Sequence, residues 1–191
     1  MTPDSLDRAM MIGVTLNLLF VLVELGFGFF SGSLALLADA GHNASDVVGL
    51  LLAWGASFLA RRPPSQKFTF GLRRATIYAA FLNAVLLLAA CAVILWEAII
   101  RLNDPAPVAG FTMIAVAAIG VVINTVTAIL FMQGSKEDAN IRGAFLHMAA
   151  DAAVSVGVVL AGVAIMATGI AWIDPVVSII IVVVIVWGTW D

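Results

Sequence analysis

Six long apolar runs dominate this sequence of 191 residues and limit what it can fold into. The apolar core of a bilayer is about 30 Å thick, and a helix needs about 20 apolar residues to cross it. Backbone polar groups in lipid must be satisfied internally, which favours helices, and the short alternating strands of a membrane barrel are missing from the sequence. We therefore predict an all-α membrane protein, a six-transmembrane-helix bundle in a single domain over residues 1–191, with helices at about residues 9–30, 34–60, 74–100, 109–133, 141–168 and 172–190.

The composition agrees with a membrane protein. Hydrophobic residues make up 63% of the chain and charged residues only 11%, whereas soluble domains are about 45–50% apolar. The net charge is −3, and no basic stripe is present to meet phosphates, which excludes nucleic acid as a partner. We expect a multi-pass protein whose partner is the lipid bilayer, located in the cell (inner) membrane.

The basic residues predict the orientation of the six helices. Arg101 is the single basic residue on one side of the predicted arrangement, and the other eight of the nine Lys and Arg residues fall on the side that holds both termini. The positive-inside rule then places both termini in the cytoplasm. The eight residues are Arg8, Arg61, Arg62, Lys67, Arg73, Arg74, Lys136 and Arg142.

Both histidines of the chain lie inside predicted spans, each with an aspartate four residues later. His42 and Asp46 belong to the second span, and His147 and Asp151 to the fifth. Ionisable side chains at membrane depth are costly and usually functional. Four residues advance a helix by about 6 Å and return to nearly the same face, so each helix presents an imidazole beside a carboxylate.

If the second and fifth helices pack antiparallel, His42 lies level with Asp151 and Asp46 with His147. Two nitrogen and two oxygen donors then converge, which suits the tetrahedral preference of Zn²⁺ better than the oxygen-rich shells of Mg²⁺ or Ca²⁺. A single pair of this kind is more often a packing contact, but two pairs with the same spacing favour a metal site. We predict these four residues as metal ligands, with Zn²⁺ (or Cd²⁺, Fe²⁺ or Co²⁺) as transported substrate, and no prosthetic group or catalytic residue.

Other polar residues in the spans allow more than one interpretation. Asp39 either orients the imidazole of His42 or makes a structural hydrogen bond to another helix. Glu24 lies either on the ion path or in a bond to a neighbouring helix. Glu97, near the outer end of the third span, is expected to snorkel toward the headgroups. Three further residues are expected to make interhelical hydrogen bonds rather than bind metal: Asn17, Asn83 and Asn124.

Several motifs, in order along nearly the whole chain, resemble those of the cation diffusion facilitator family, in particular its zinc-transporting members. They are the run from Ser33 to Asp46 (SLALLADAGHNASD), Phe70-Gly71 followed by Arg74, the run from Asn140 to His147 with Asp151, and Asp174-Pro175. The resemblance implies proton-coupled metal export by a homodimer rather than an enzyme, with the four predicted ligands as the transport site. It also implies a preference for zinc, which accompanies histidine at position 42.

Two features depart from the family pattern. Thr76 stands where a glutamate is common, so any ion pair of that glutamate is not expected here. The sequence ends at Asp191, before the usual C-terminal cytoplasmic metal-binding domain that helps hold the dimer. We expect a transmembrane domain without that part, in which a homodimer rests on the membrane helices.

Three rival functions are weighed against zinc efflux by proton antiport. A membrane haem-binding, cytochrome-like bundle could use His42 and His147 as axial ligands, but it would not need the two aspartates. An intramembrane metalloprotease would show His-Glu-x-x-His, which is absent from the sequence. A purely structural subunit would tolerate the loss of both histidines.

Overall fold

The computed structural model describes residues 3–60, 71–132 and 139–190. Within these ranges the chain forms six α-helices and no strands, so the predicted all-helical class is confirmed for them. The helices are α1 (Pro3–Ser31), α2 (Leu34–Ala60), α3 (Gly71–Asn103), α4 (Gly110–Met132), α5 (Ala139–Thr168) and α6 (Ile173–Trp190).

Most helix boundaries agree with the apolar runs to within three residues, because turn-forming residues interrupt each run. The largest difference is at the start of α1, which begins at Pro3 instead of near residue 9. Some predictions concern residues outside the described ranges: Arg61, Arg62, Lys67, Phe70, Gln133, Lys136 and Asp191.

Four of the helices are long and apolar enough to cross a membrane among the described residues: Met11–Ser31, Ala80–Asn103, Gly110–Met132 and Arg142–Thr168. The apolar part of α6, Ile173–Gly188, is shorter. The helix α2 spans 27 residues, and its first half carries Asp39, His42 and Asp46.

The helices pack in a closed ring in the order α1, α2, α3, α6, α5 and α4, with α4 returning to α1. Across the interior of this ring, α2 also contacts α6 and α5. The largest buried apolar cluster contains residues of all six helices, among them Phe20, Leu36, Leu87, Met113, Val158 and Ile181. The predicted partners α2 and α5 therefore face each other inside the bundle.

The longest helix contact, between α4 and α5, depends on glycines that let the two backbones approach. A Cβ atom added to Gly110 would lie 2.8 Å from Met166 and 3.2 Å from the carbonyl oxygen of Gly162. A Cβ atom on Gly162 would lie 2.7 Å from Ile114. Small residues at such interfaces increase van der Waals contact, which drives helix association in lipid.

A tight turn joins α1 to α2. Gly32 has a φ of 69°, the left-handed conformation that glycine adopts at low cost after a helix. The N–H groups of Gly32 and Ser33 donate to the carbonyl oxygens of Phe29 and Gly28, which closes the end of α1. The guanidinium of Arg101, at the end of α3, donates to the carbonyl oxygen of Gly32 and fixes the turn from the side.

The carboxylate of Asp174, at the start of α6, caps the first turn of α2. It accepts hydrogen bonds from the Ser33 hydroxyl at 2.7 Å and from the backbone N–H groups of Leu34 and Ala35 at 2.8 and 3.3 Å. The Ser33 hydroxyl oxygen in turn accepts from the N–H of Leu36. A helix N-terminus carries partial positive charge and unpaired N–H groups, so this buried carboxylate stabilises the helix that bears His42 and Asp46.

We expect Asp174→Asn to lower the free energy of unfolding by about 2 kcal/mol, because hydrogen bonds to a charged acceptor are each worth about 1.5–3 kcal/mol. Denaturation in mixed micelles, followed by circular dichroism, measures the change. Asp104→Asn is the matched control, since Asp104 is exposed. Equal midpoints for the two variants would show that the cap does not stabilise the fold.

Candidate metal centre

The two His-x-x-x-Asp pairs meet across the interior of the bundle. The Nε2 atom of His42 on α2 lies 3.3 Å from Asp151 Oδ1 on α5. In the other direction, His147 Nε2 on α5 lies 3.0 Å from Asp46 Oδ1 on α2. Within each helix, His42 Nε2 is 3.6 Å from Asp46 Oδ2, and His147 Nε2 is 3.9 Å from Asp151 Oδ2. The level pairing expected from antiparallel packing is therefore present.

These four distances form a closed circuit in which imidazole and carboxylate alternate. Zn²⁺ binds nitrogen and oxygen ligands at about 2.0–2.2 Å, so the edges of its coordination tetrahedron are about 3.3–3.6 Å long. The four sides of the circuit, 3.0 to 3.9 Å, bracket that length. The two imidazole rings meet edge to face, with centroids 5.8 Å apart and planes at 75°. Non-coplanar rings suit a tetrahedral ion better than a square-planar one.

Several ligand atoms have no competing hydrogen bond. Among the described residues, Asp46 Oδ2 and Asp151 Oδ2 are buried without a hydrogen-bond partner. The ligand atoms of His42, Asp46 and Asp151 lie within 4.8 Å of one another, as a shared ion requires. Two carboxylates would offset the charge of a divalent cation, which is necessary where water is excluded.

The site is closed on one side and open on the other. The side chain of Asp151 is 1% exposed, those of Asp46 and His42 are 13% and 18% exposed, and that of His147 is 40% exposed. In both helices the more exposed level, with Asp46 and His147, lies toward the end of the bundle that holds the chain termini. The edge of the site at His147 is therefore its most exposed part.

Asp39 bonds to another helix and does not orient the nearest imidazole. The Ser155 hydroxyl on α5 donates to Asp39 Oδ2 at 3.2 Å. His42 Nδ1 has no hydrogen-bond partner within the described ranges, so Asp39 does not accept from it. Glu24 also bonds to a neighbouring helix, because Asn43 Nδ2 on α2 donates to Glu24 Oε2 at 3.0 Å. Of the two interpretations left open for each acid, the interhelical bond is the one observed.

The interhelical hydrogen bonds predicted for the three asparagines are observed only in part. Asn83 on α3 donates to the hydroxyl and carbonyl oxygens of Ser45 on α2, which is the interhelical bond expected. Asn17 donates to a carbonyl oxygen of its own helix and contacts a sulfur on α5 at 4.0 Å. The prediction for Asn124 is wrong, because neither its Oδ1 nor its Nδ2 atom has a hydrogen-bond partner in the part of the chain that the structure describes.

Glu97 does not simply extend to the headgroups. Its Oε1 atom accepts a hydrogen bond from Arg101 Nε at 2.9 Å, one turn further along α3. Two contributors to the polar interior were not predicted at all, Asn43 and Ser155. Ser155 follows Asp151 by four residues, so the same helical spacing that identified the ligands also placed it on their face.

The comparisons with known proteins agree with this geometry. A sequence profile of the cation efflux transmembrane domain matches residues 10–191. The chain belongs to the cation efflux family. The predicted resemblance to cation diffusion facilitators is therefore confirmed, and the chain is an integral membrane protein of the bacterial inner membrane, as expected from its apolar helices.

Three relatives illustrate the cation efflux family. The chain is 44% identical to the zinc transporter ZitB of Escherichia coli (strain K12) over 179 residues, which are 93% of this chain and 56% of that protein. It is 35% identical to the metal cation efflux system protein CzcD of Cupriavidus metallidurans over 98% of this chain and 60% of that protein. It is 39% identical to the cadmium, cobalt and zinc/H(+)-K(+) antiporter of Bacillus subtilis over 87% of this chain and 54% of that protein. The chain thus spans somewhat more than half the length of these relatives.

We expect Zn²⁺ to stabilise this cation efflux domain. A ligand that binds only the folded state adds about 2.7 kcal/mol when its free concentration is 100 times the Kd. Thermal unfolding with and without Zn²⁺ measures the effect, which should disappear in Asp151→Asn, because an amide is a poorer ligand than a carboxylate. Glu97→Gln, which lies at the far end of α3, should keep the full stabilisation. An equal response to Zn²⁺ in both variants would exclude Asp151 from the ligand set.

Proposed function

We propose that this domain exports Zn²⁺ from the cytoplasm in exchange for protons, with His42, Asp46, His147 and Asp151 as the transport site. The observation that carries the proposal is the alternating circuit of two imidazoles and two carboxylates shared by α2 and α5. The names of the relatives, a zinc transporter and a cation/proton antiporter, support the same substrates. The haem alternative finds no support, since both Nε2 atoms face carboxylate oxygens.

We infer a single transmembrane domain over residues 1–191 with both termini in the cytoplasm. In support, Arg73 and Arg101 lie at opposite ends of α3. Arg8 lies in the second turn of α1 and Arg142 in the first turn of α5, at the end of the bundle where Arg73 lies. The positive-inside rule assigns that end to the cytoplasm. The half-exposed edge of the site at His147 then opens inward, where export has to collect its ion.

Proton exchange follows from the chemistry of the ligands. An imidazole must lose its proton before it can bind a metal, so protons and Zn²⁺ compete for the same nitrogen atoms. Facing inward at the higher pH, His42 and His147 are free to bind the ion. Facing outward, they accept protons and the ion leaves. Alternating access requires α2 and α5 to rock with their neighbours, as in other carriers.

The wider description is part of the same proposal. The domain is a carrier and not an enzyme, it binds no prosthetic group, and Cd²⁺ and Co²⁺ are further substrates, in keeping with the named substrates of the Bacillus subtilis relative. The functional unit is a homodimer that contacts through its membrane helices.

Transport in lipid vesicles tests the proposal directly. We expect Zn²⁺ flux in wild-type vesicles to rise when a proton gradient drives protons in the direction opposite to the movement of Zn²⁺. Asp151→Ala should abolish the flux, because it removes a proposed ligand and leaves His42 and His147 without one of their carboxylate partners. Glu97→Gln serves as the control for reconstitution. Zn²⁺ flux that ignores the gradient would refute antiport, and wild-type flux in Asp151→Ala would refute the assigned ligands.

Metal preference depends on the ligand at position 42. We expect His42→Asp to weaken Zn²⁺ binding relative to Mn²⁺, because a third carboxylate replaces a nitrogen donor and oxygen-rich sites suit harder cations. Isothermal titration of both metals against the wild type and the variant gives the ratio of Kd values. An unchanged ratio would show that His42 does not touch the ion.

A further inference from the structure

Glu24 on α1 and Asp39 on α2 form a second group of ionisable residues, apart from the four metal ligands. Both side chains are fully buried, at 0% exposure. Glu24 Oε2 accepts a hydrogen bond from Asn43 Nδ2 at 3.0 Å, and Asn43 follows Asp39 by four residues, so the carboxyl group of Glu24 lies against the face of α2 that bears Asp39. Asp39 is three residues from His42, about 4.5 Å along the helix, so the pair lies one turn beyond the metal ligands.

Each carboxyl group has one oxygen satisfied and one oxygen left over. Glu24 Oε2 accepts from Asn43 Nδ2, and Asp39 Oδ2 accepts from the Ser155 hydroxyl. Glu24 Oε1 and Asp39 Oδ1 receive no hydrogen bond from any described group. An ionised carboxylate has no hydrogen to donate, so two ionised groups could not bond to each other. They would also place two uncompensated negative charges side by side in an apolar interior.

We propose that Glu24 and Asp39 hold one proton between them and form a proton-binding site separate from the metal ligands. The carboxylic acid of one residue donates its hydrogen to the carboxylate of the other, which satisfies both unpaired oxygens. The pair then carries one negative charge instead of two. Asn43 and Ser155 each supply a donor to the outer oxygens and hold the two groups in position.

Few other charged groups surround this pair. His42 faces it from α2 and Asp151 from α5. The helix α4, which packs against α1, contains no charged residue. Within the described residues, the proton is therefore the one positive partner available to the pair when His42 is neutral.

The site joins three helices, one turn beyond the metal centre. Glu24 belongs to α1, Asp39 to α2, and Ser155 lies one turn after Asp151 on α5. A change in the number of protons on the pair alters the repulsion between α1 and α2 and the bond from α2 to α5. On the proposed function, this is a means by which a proton can act on the helices that enclose Zn²⁺ without replacing it as a ligand.

Infrared spectroscopy of the purified protein in lipid tests the proton site without transport. Unperturbed carboxyl groups have pKa values of about 4 and are ionised at neutral pH. We expect the wild type to show a carboxylic acid carbonyl band at neutral pH. Glu24→Gln and Asp39→Asn should each remove the intensity of one carboxylic acid, and the double variant should remove no more than either single one, because the residues share one proton. Glu97→Gln should leave the band unchanged.

Three infrared results would contradict the proposal. A wild type without this band, single variants that retain its full intensity, or a double variant that loses twice as much would each overturn the shared proton. The wild-type measurement stands even where a variant fails to fold. Stabilisation by Zn²⁺ serves to confirm that each variant is folded.

Vesicle transport then tests the coupling. We expect Glu24→Gln to bind Zn²⁺ with nearly the wild-type Kd but to lose most of the increase in flux that a proton gradient gives. An unchanged response to the gradient would overturn the coupling. Failure of the proposed function is separate, since it would appear as an absence of Zn²⁺ flux in the wild type, whatever its infrared spectrum.

Discussion

The attraction between imidazole and carboxylate across α2 and α5 is the interaction on which the interior of this bundle depends. A lone charge in the middle of a membrane is costly, and a single neutral imidazole would leave a donor or acceptor unpaired. The alternation of His42, Asp151, His147 and Asp46 gives every member a complementary neighbour within 3.9 Å. The same closeness that makes the four residues tolerable in an apolar interior also brings together nitrogen and oxygen atoms of the kinds that bind metal.

The rest of the bundle positions this circuit. The carboxylate of Asp174 fixes the first turn of α2 to α6, and Arg101 fixes the preceding turn from α3. On the other side, the glycines of the α4 and α5 contact hold those helices close together. As a result, α2 is held mainly by α1, α3 and α6, and α5 mainly by α4. The contact between α2 and α5 is much less extensive than the contact between α4 and α5. On the proposed function, this small contact area suits two helices that have to move apart.

Sequence spacing predicted the parts of the structure that follow from the period of one helix. The apolar runs predicted the six helices, and the repeated His-x-x-x-Asp spacing predicted that four side chains meet between α2 and α5, because i and i+4 share a face whatever surrounds them. The partners of Glu24, Asp39 and Asn124 depend on the rotation of each helix about its axis, which apolar residues on all sides do not fix. For this reason the spacing does not identify Asn43 as the donor to Glu24, and the interhelical bond predicted for Asn124 is wrong.

The two groups of buried acids have different consequences for charge. Asp46 and Asp151 together carry two negative charges, which one Zn²⁺ neutralises and which a proton on each imidazole would neutralise equally. The circuit can therefore exchange metal for protons without leaving net charge in the apolar interior, where an unpaired ion is destabilising. Glu24 and Asp39 are not paired with two imidazoles, so they cannot exchange a metal ion for protons in this way. Their negative charge can change only by the gain or loss of a proton, so this pair responds to pH alone, while the circuit responds to both pH and metal.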